Sequence, residues 1–320
     1  MRANLAVLVD PEAPGGLVIG SVPAPAPLPS EAVVRVSALS LNRGEVKRAL
    51  AAADRDWRPG WDVAGVVEQA AADGSGPGVG ARVVAFLRAG GWAERVAVPT
   101  RALAELPASV TFTQAATLPV AGLTALYALD KRGLLVERSV LITGATGGVG
   151  DFAIQLARLS GARVVAGVRR AEQETWVRDA GADEVAVGED PSAAREFGPY
   201  DLVLDSVGGK TLSGALAMLA EGGVCVSLGT SEASDVSFDA AAFFLTGRAV
   251  LYGFILFDEL GNEPASLGLA RLARLVASGR LNPRVSVEAP WTEVADVARQ
   301  LMERRFPGKA VLHVTNGGGS

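Results

Sequence analysis

The chain has 320 residues, of which 49% are hydrophobic and 20% charged, with a formal net charge of −5 at pH 7. This length allows two domains with buried cores, while the absence of basic blocks and of long apolar segments predicts a cytoplasmic protein without nucleic-acid or membrane partners. The single cysteine, Cys225, and the single histidine, His313, exclude an intrachain disulfide, a four-cysteine zinc site and the usual mixed histidine–cysteine catalytic zinc site.

The first part of the chain is predicted to be β-rich. Short apolar runs separated by Gly, Pro, Asp and Ser are typical of a small barrel or sandwich. The runs are residues 5–9, 32–36, 63–67, 82–86 and 93–98. Residues 23–29, in which every second residue is proline, are predicted to be a surface connection, because proline cannot pair within a central strand.

The pattern then changes to alternating strands and helices, which predicts a parallel, doubly wound sheet. The predicted strands are 140–143, 163–168, 201–204 and 224–228, and the predicted helices are 149–160, 172–180 and 212–219. Helices over 267–278 and 294–304 and a strand over 309–314 follow, and this strand is predicted to return to the first domain. The tail, residues 315–320, is predicted to be disordered because of its linker-like composition.

A glycine-rich turn follows the first strand of this alternating region. Residues 144–150 read Gly-Ala-Thr-Gly-Gly-Val-Gly and lead directly into a helix. A strand, a glycine turn and a helix in this order are typical of a dinucleotide-binding loop, because glycines let the backbone approach a pyrophosphate at the helix N-terminus. The predicted cofactor contacts here are Ala145, Thr146, Gly147, Gly148 and Val149.

The next predicted strand, over 163–168, contains Gly167 near its end and is followed directly by Arg169 and Arg170. An NAD-specific protein usually carries an acidic residue at this place, whereas a guanidinium pairs with a phosphate. The sequence therefore favours NADPH, with Gly167, Arg169 and Arg170 predicted to contact it. A solvated surface position for one arginine is the alternative.

Several segments together resemble the zinc-free quinone oxidoreductase-like family of the medium-chain dehydrogenase/reductase superfamily. They are residues 59–67, 90–94, 115–125, 141–157 and 307–312. The resemblance implies an α/β protein with a GroES-like β-barrel catalytic domain over 1–118 and a Rossmann doubly wound parallel sheet over 119–256. It implies a return of 257–320 to the catalytic domain, and a homodimer.

The resemblance also identifies positions at which zinc-dependent relatives carry their metal ligands. Asn42, Trp61 and Ala121 stand at those positions, so no metal site is expected and the Lewis acid of those relatives is missing. Acceptors that take hydride without metal assistance, such as quinones and α,β-unsaturated carbonyls, are therefore favoured over alcohols.

The family comparison implies catalytic roles for Asn42, which would bond the substrate oxygen or an ordered water, and for Thr124, near the nicotinamide. A turn-forming role for Asn42 and a packing role for Thr124 are the alternatives. Trp57 and Trp61 are predicted pocket walls, with simple packing as the alternative. Further cofactor contacts are predicted at Gly229, Thr230, Gly253, Phe254 and Ile255.

The predicted function is NADPH-dependent hydride transfer to a small-molecule quinone or enone. Many relatives have a tyrosine in the loop after Asn42, and its absence here leaves the proton donor open. Two alternatives remain. One is a double-bond reductase for enoyl thioester or polyketide intermediates, with Lys47, Arg48 and Arg55 meeting the carrier; the other is a non-catalytic NADPH-binding redox sensor.

Overall fold

The computed structural model describes residues 4–51 and 57–315. The chain divides into two compact units, one formed by Met1–Leu123 with Leu260–Ser320 and the other by Thr124–Glu259. The domain boundaries expected from the sequence, after residues 118 and 256, fall within a few residues of these divisions. The predicted disordered tail lies outside the described residues except for Thr315.

The first unit begins with a mostly antiparallel arrangement of strands. Its elements up to residue 116 are β1 (Asn4–Val9), β2 (Leu17–Val22), β3 (Glu31–Ser40), α1 (Arg43–Ala51), β4 (Asp62–Gln69), β5 (Arg82–Phe86), β6 (Arg95–Pro99), β7 (Leu103–Glu105) and α2 (Phe112–Ala116). Strand β3 is long and largely buried, and it pairs antiparallel with both β4 and β6. Gly65 of β4 permits a close approach of the strands, because a Cβ atom there would lie 2.1 Å from the carbonyl oxygen of Arg35.

The second unit is a parallel sheet flanked by helices. Its elements are α3 (Leu123–Leu129), β8 (Ser139–Ile142), α4 (Gly148–Leu159), β9 (Arg163–Val168), α5 (Glu174–Asp179), β10 (Glu184–Val187), β11 (Tyr200–Asp205), α6 (Gly209–Leu216), β12 (Leu219–Ser227), α7 (Ala240–Leu245), β13 (Val250–Gly253) and α8 (Leu256–Glu259). The strand order is β10-β9-β8-β11-β12-β13, with every pair parallel. The order reverses between β8 and β11, the place where such sheets bind ligands beyond their carboxyl ends.

The C-terminal segment returns to the first unit. It contains α9 (Ala265–Ala277), β14 (Val285–Pro290), α10 (Val294–Met302) and β15 (Lys309–His313). Strand β15 pairs antiparallel with β3, opposing Val311 to Ser40, and pairs parallel with β14. The last strand therefore belongs to the same sheet as β3, β4, β5 and β7.

The largest difference between a predicted and an observed helix is at α6. The sequence predicts a helix over 212–219, whereas α6 ends at Leu216 and Leu219 already opens β12, opposite Tyr200 of β11. Met218 and Leu219 continue the apolar spacing of the helix, so periodicity does not reveal where the strand begins. Among the described residues, no helix has both the length and the apolar character that a membrane crossing requires.

Candidate active site

A cluster of four polar residues lies buried in the first unit. Asn42 follows β3, Glu45 lies in the first turn of α1, Asp62 opens β4 and Lys309 opens β15. Glu45 and Asp62 have no exposed surface, while Lys309 is 4% and Asn42 9% exposed. The fold brings these residues together because β3 pairs with both β4 and β15.

Hydrogen bonds join all four side chains. The amide Nδ2 of Asn42 donates to Asp62 Oδ2 at 2.8 Å and to Glu45 Oε2 at 3.4 Å. Lys309 Nζ donates to Asn42 Oδ1 at 2.6 Å and to Asp62 Oδ2 at 3.4 Å, and its third proton meets the carbonyl oxygen of Leu41 at 2.9 Å. We call these four residues the Asn42 network.

Backbone amides bind the remaining carboxylate oxygens of the network. Val120 N donates to Asp62 Oδ1, and Gly60 N to Glu45 Oε1, each at 3.0 Å. Burial raises the pKa of Glu45 well above its ordinary value, and the negative charge of Asp62 raises it further. Burial likewise raises the pKa of Asp62 and lowers that of Lys309. Two acids facing one ammonium away from water favour retention of a proton by the network.

Three further residues predicted from the sequence have specific partners or are buried. Trp61 is half-buried and donates its indole N–H to the carbonyl oxygen of Arg88 at 3.0 Å. Trp57 packs against the core of the first unit and lies under the guanidinium of Arg48, 4.9 Å from its ring centroid. Thr124 is buried in α3 of the second unit. The roles proposed for these three residues stay predictions.

The glycine-rich turn of the second unit has the geometry of a phosphate-binding loop. Gly144 adopts a positive φ of 58°, which favours glycine. Its carbonyl oxygen accepts a hydrogen bond from Gly147 N at 3.0 Å. Helix α4 starts at Gly148 without a side-chain cap, so its first amides remain available to an anion. A Cβ atom on Gly150 would lie 2.7 Å from Ala145 Cα, which explains the need for glycine at that contact.

Arg169 and Arg170 lie directly beyond β9, at the same edge of the sheet as the glycine turn. Both are exposed, their backbone amides donate to Gln173 Oε1 at 3.1 and 3.2 Å, and neither forms an ion pair with another described residue. Ala145 N contacts the carbonyl oxygen of Gly167 at 3.4 Å, joining this strand end to the turn. Two guanidinium groups beside a phosphate-binding loop fit a cofactor that carries an additional phosphate.

The remaining predicted cofactor contacts follow the ends of β12 and β13. Gly229 is half-buried beyond β12, and Thr230 is exposed. Phe254 is buried and its backbone N donates to Ser227 O at 2.9 Å, whereas Gly253 and Ile255 are exposed. The structure therefore brings the predicted cofactor residues of the second unit to the carboxyl ends of its strands, where their contacts with a cofactor remain a prediction.

Sequence reasoning did not recognise the Asn42 network. Of the four residues, only Asn42 was predicted to belong to a site, and Lys309 was included only in the predicted strand over 309–314. The available signal was a charged residue directly before an apolar run at the beginning of each of two strands, β4 and β15. Their pairing through β3 depends on long-range topology, which no local pattern shows.

Two family models match the chain. One, described as an alcohol dehydrogenase GroES-like domain, matches residues 28–108, and the other, described as a zinc-binding dehydrogenase, matches 148–270. The second segment contains a single cysteine and no histidine. Among the described residues, no group of three or more His, Cys, Asp and Glu side chains is placed to hold a metal ion.

Similar proteins include an oxidoreductase of comparable length and a much larger synthase protein. The mitochondrial NAD(P)H oxidoreductase RTN4IP1 of Mus musculus is 31% identical over 283 residues, covering 80% of this chain and 70% of that protein. The spectinabilin polyketide synthase system protein NorB of Streptomyces orinoci is 35% identical over 314 residues, covering 93% of this chain. The chain spans only 14% of the length of that synthase protein.

Solved structures with the same fold cover nearly the whole chain. A mycobacterial quinone oxidoreductase has a TM-score of 0.86 at 27% identity, covering 98% of this chain and 100% of its own. A mycobacterial protein complexed with NADPH has a TM-score of 0.86 at 28% identity, covering 97% and 100%. The predicted fold class, a GroES-like domain with a Rossmann sheet, is confirmed by these comparisons.

Proposed function

Because the chain belongs to the zinc-free quinone oxidoreductase-like family of the medium-chain dehydrogenase/reductase superfamily, we propose that it is an NADPH-dependent reductase of quinones or α,β-unsaturated carbonyls. The observation that carries this proposal is the uncapped N-terminus of α4 beside two exposed arginines without described ion-pair partners. The NADPH complex of a mycobacterial relative supports it.

The residues of the second unit would bind and orient the cofactor. The first amides of α4 would hold the pyrophosphate, and Arg169 and Arg170 would bind the 2′-phosphate. Gly229, Thr230 and the backbone of residues 253–255 would meet the nicotinamide end, as proposed from the family resemblance. When bound, NADPH supplies the hydride that the acceptor receives.

The residues of the first unit would act on the acceptor. Asn42 occupies a position that carries a zinc ligand in metal-dependent relatives, and its amide is hydrogen-bonded to Glu45, Asp62 and Lys309. Quinones and enones suit such an environment, because a conjugated carbonyl accepts hydride without a Lewis acid. Thr124, Trp57 and Trp61 remain proposed contacts.

The direct test is the initial rate of NADPH oxidation with an ortho-quinone, measured in EDTA. We expect turnover that EDTA does not diminish, since no step requires a metal. The contrary outcome is protein that binds NADPH but oxidises it no faster than the protein-free blank, with quinones and with enones alike. That outcome would contradict the proposed activity and favour a non-catalytic NADPH-binding role.

A second candidate is the reduction of an enoyl thioester. The 35% identity to a polyketide synthase system protein favours it. Lys47 and Arg48 are exposed on α1 and would meet the phosphate of a phosphopantetheine or CoA carrier, while Arg55 lies outside the described residues. The test compares the KM for a 2-enoyl thioester of a phosphate-bearing carrier with the KM for its phosphate-free analogue. A far lower KM for the phosphate-bearing thioester would favour this candidate over a quinone acceptor.

A further inference from the structure

The Asn42 network limits what the Asn42 amide can bind. An asparagine side chain offers two N–H donors and an oxygen with two lone pairs. Both donors already point at carboxylates, those of Asp62 and Glu45, at 2.8 and 3.4 Å. One lone pair accepts from Lys309 Nζ at 2.6 Å. The only hydrogen-bonding position of the Asn42 side chain without one of these partners is the second lone pair of Oδ1.

The reversed orientation of this amide is disfavoured at both ends. It would place the NH2 group against the Lys309 ammonium, which has only donors, and the oxygen against the Asp62 carboxylate, which has only acceptors when ionised. Two charge-assisted hydrogen bonds would become two repulsive contacts. Lys309 cannot adapt, because its other two protons meet Leu41 O and Asp62 Oδ2.

Asn42 is also the most exposed member of its network, at 9%. We propose that Lys309 and Asp62 are positioning residues that fix the Asn42 amide as a hydrogen-bond acceptor. Asn42 then binds a donor, either water or a substrate hydroxyl, and not the carbonyl oxygen of the acceptor substrate.

This inference rests on the proposed function and specifies its protonation step. A water molecule held by Asn42 Oδ1 gives a proton to the acceptor once the hydride has been received. One O–H bond of the water breaks, a C–H or O–H bond forms on the product, and the hydroxide takes a proton from the solvent. Asn42 keeps its own protons throughout, which removes the need for a tyrosine donor at this place.

The first test compares unfolding midpoints of Asn42→Asp and Asn42→Ala with wild type from acidic to alkaline pH, without any acceptor. At acidic pH the new carboxyl of Asn42→Asp is protonated, so one oxygen donates to Asp62 and the other accepts from Lys309. We expect a midpoint near that of wild type there, and a progressive loss as pH rises and the carboxyl ionises beside two buried acids. Asn42→Ala should be less stable than wild type throughout.

The second test measures turnover of the same variants. If Asn42 is an acceptor, Asn42→Ala should lower kcat by about 100-fold, the lower range for loss of a positioned proton donor. Asn42→Asp should retain kcat within about 10-fold of wild type at acidic pH and lose it on alkaline titration. Loss of the donor water should also raise the solvent deuterium isotope effect on kcat in Asn42→Ala, an effect that a purely structural defect would not produce.

Asn4→Asp is the matched control. Asn4 is another buried asparagine of the first unit, bonded through Nδ2 to Arg95 O and through Oδ1 to Arg95 N, each at 3.0 Å. It should alter the unfolding midpoint without altering kcat or its isotope effect. Cofactor binding by every variant, followed by NADPH fluorescence, verifies that the second unit is intact.

Three outcomes would overturn the inference: full turnover by Asn42→Ala, a folded Asn42→Asp that is inactive at every pH, or midpoints of the two variants that coincide across the pH range. If wild type itself reduces no acceptor, the proposed function fails. The midpoint series then still reports whether the site requires a hydrogen-bond donor towards Asp62 together with an acceptor towards Lys309.

Discussion

Arg169 and Arg170 are the residues proposed to determine the preference for NADPH over NADH. Each exposed guanidinium can make charge-assisted hydrogen bonds to a 2′-phosphate, which NADH lacks. Replacing both by alanine should therefore raise the Kd for NADPH by about 10- to 100-fold and leave that for NADH nearly unchanged. Isothermal titration of both cofactors measures the two constants.

The charge-matched control is the double replacement of Arg101 and Arg271 by alanine. Both residues are exposed and belong to the first unit, so the net charge changes equally. This control should change the Kd values for NADPH and NADH only slightly, and by the same factor. If replacement of Arg169 and Arg170 weakened the binding of NADPH and of NADH equally, these arginines would not bind the 2′-phosphate.

Glu45 should make stability depend on pH. Burial and the charge of Asp62 raise its pKa in the folded protein above the unfolded value of about 4.3. A carboxyl with a raised folded pKa contributes stability that is present below the unfolded pKa and lost as pH rises through the folded pKa. The free energy of unfolding of wild type, relative to Glu45→Gln, should therefore fall as pH increases above about 4.3.

Urea unfolding at a series of pH values measures this difference. Glu68→Gln is a suitable control, because it removes an exposed carboxylate of the first unit, one that is paired with Arg95 at 2.7 Å. A wild-type curve that runs parallel to that of Glu45→Gln over the whole range would show that Glu45 does not take up a proton on folding.

At the scale of elements, the turn between β8 and α4 depends on the absence of a side chain at Gly150. Gly150→Ala would place a Cβ atom 2.7 Å from Ala145 Cα and from the carbonyl oxygens of Ala145 and Gly144. The helix must then move away from the turn, with an expected loss of about 1–3 kcal/mol in the free energy of unfolding. Weaker NADPH binding should accompany it, since the displaced amides are those proposed to hold the pyrophosphate.

Gly78→Ala provides the comparison for Gly150→Ala. A methyl group added at Gly78 would meet no atom within 4 Å, and the residue lacks a positive φ, so its replacement should change stability by no more than about 1 kcal/mol. Unfolding in urea and NADPH titration report on both variants. Unchanged stability and cofactor affinity in Gly150→Ala would contradict the close packing of α4 on the turn.

Element positions were predictable where one local signal dominated. Strand β9 occupies the predicted residues, and α4 differs from its prediction by one residue at each end, because glycine and apolar periodicity mark both clearly. The boundary of α6 and β12 was wrong, since Leu219 fits both periods. Lys309 was not recognised as part of a site, because its partners Asn42 and Asp62 are 267 and 247 residues away in sequence.

At the scale of the whole molecule, the parallel sheet of the second unit ends in an exposed strand. Strand β13 lies at the edge of the six-stranded sheet, and Val250 and Leu251 on it are 43% and 41% exposed. Half of the large hydrophobic side chains that are exposed among the described residues lie between residues 238 and 255. An edge strand with apolar side chains is a template for pairing with another chain.

We therefore predict that a second copy of this chain pairs along β13, giving the homodimer expected from the family resemblance through a two-fold contact. Leu251→Lys places a charge in this contact and should convert the dimer to a monomer in sedimentation analysis. Leu267→Lys, on an exposed apolar residue of α9, is the control and should leave the dimer intact. A monomeric wild type, or a dimer equally sensitive to Leu267→Lys, would mean that β13 does not form the contact.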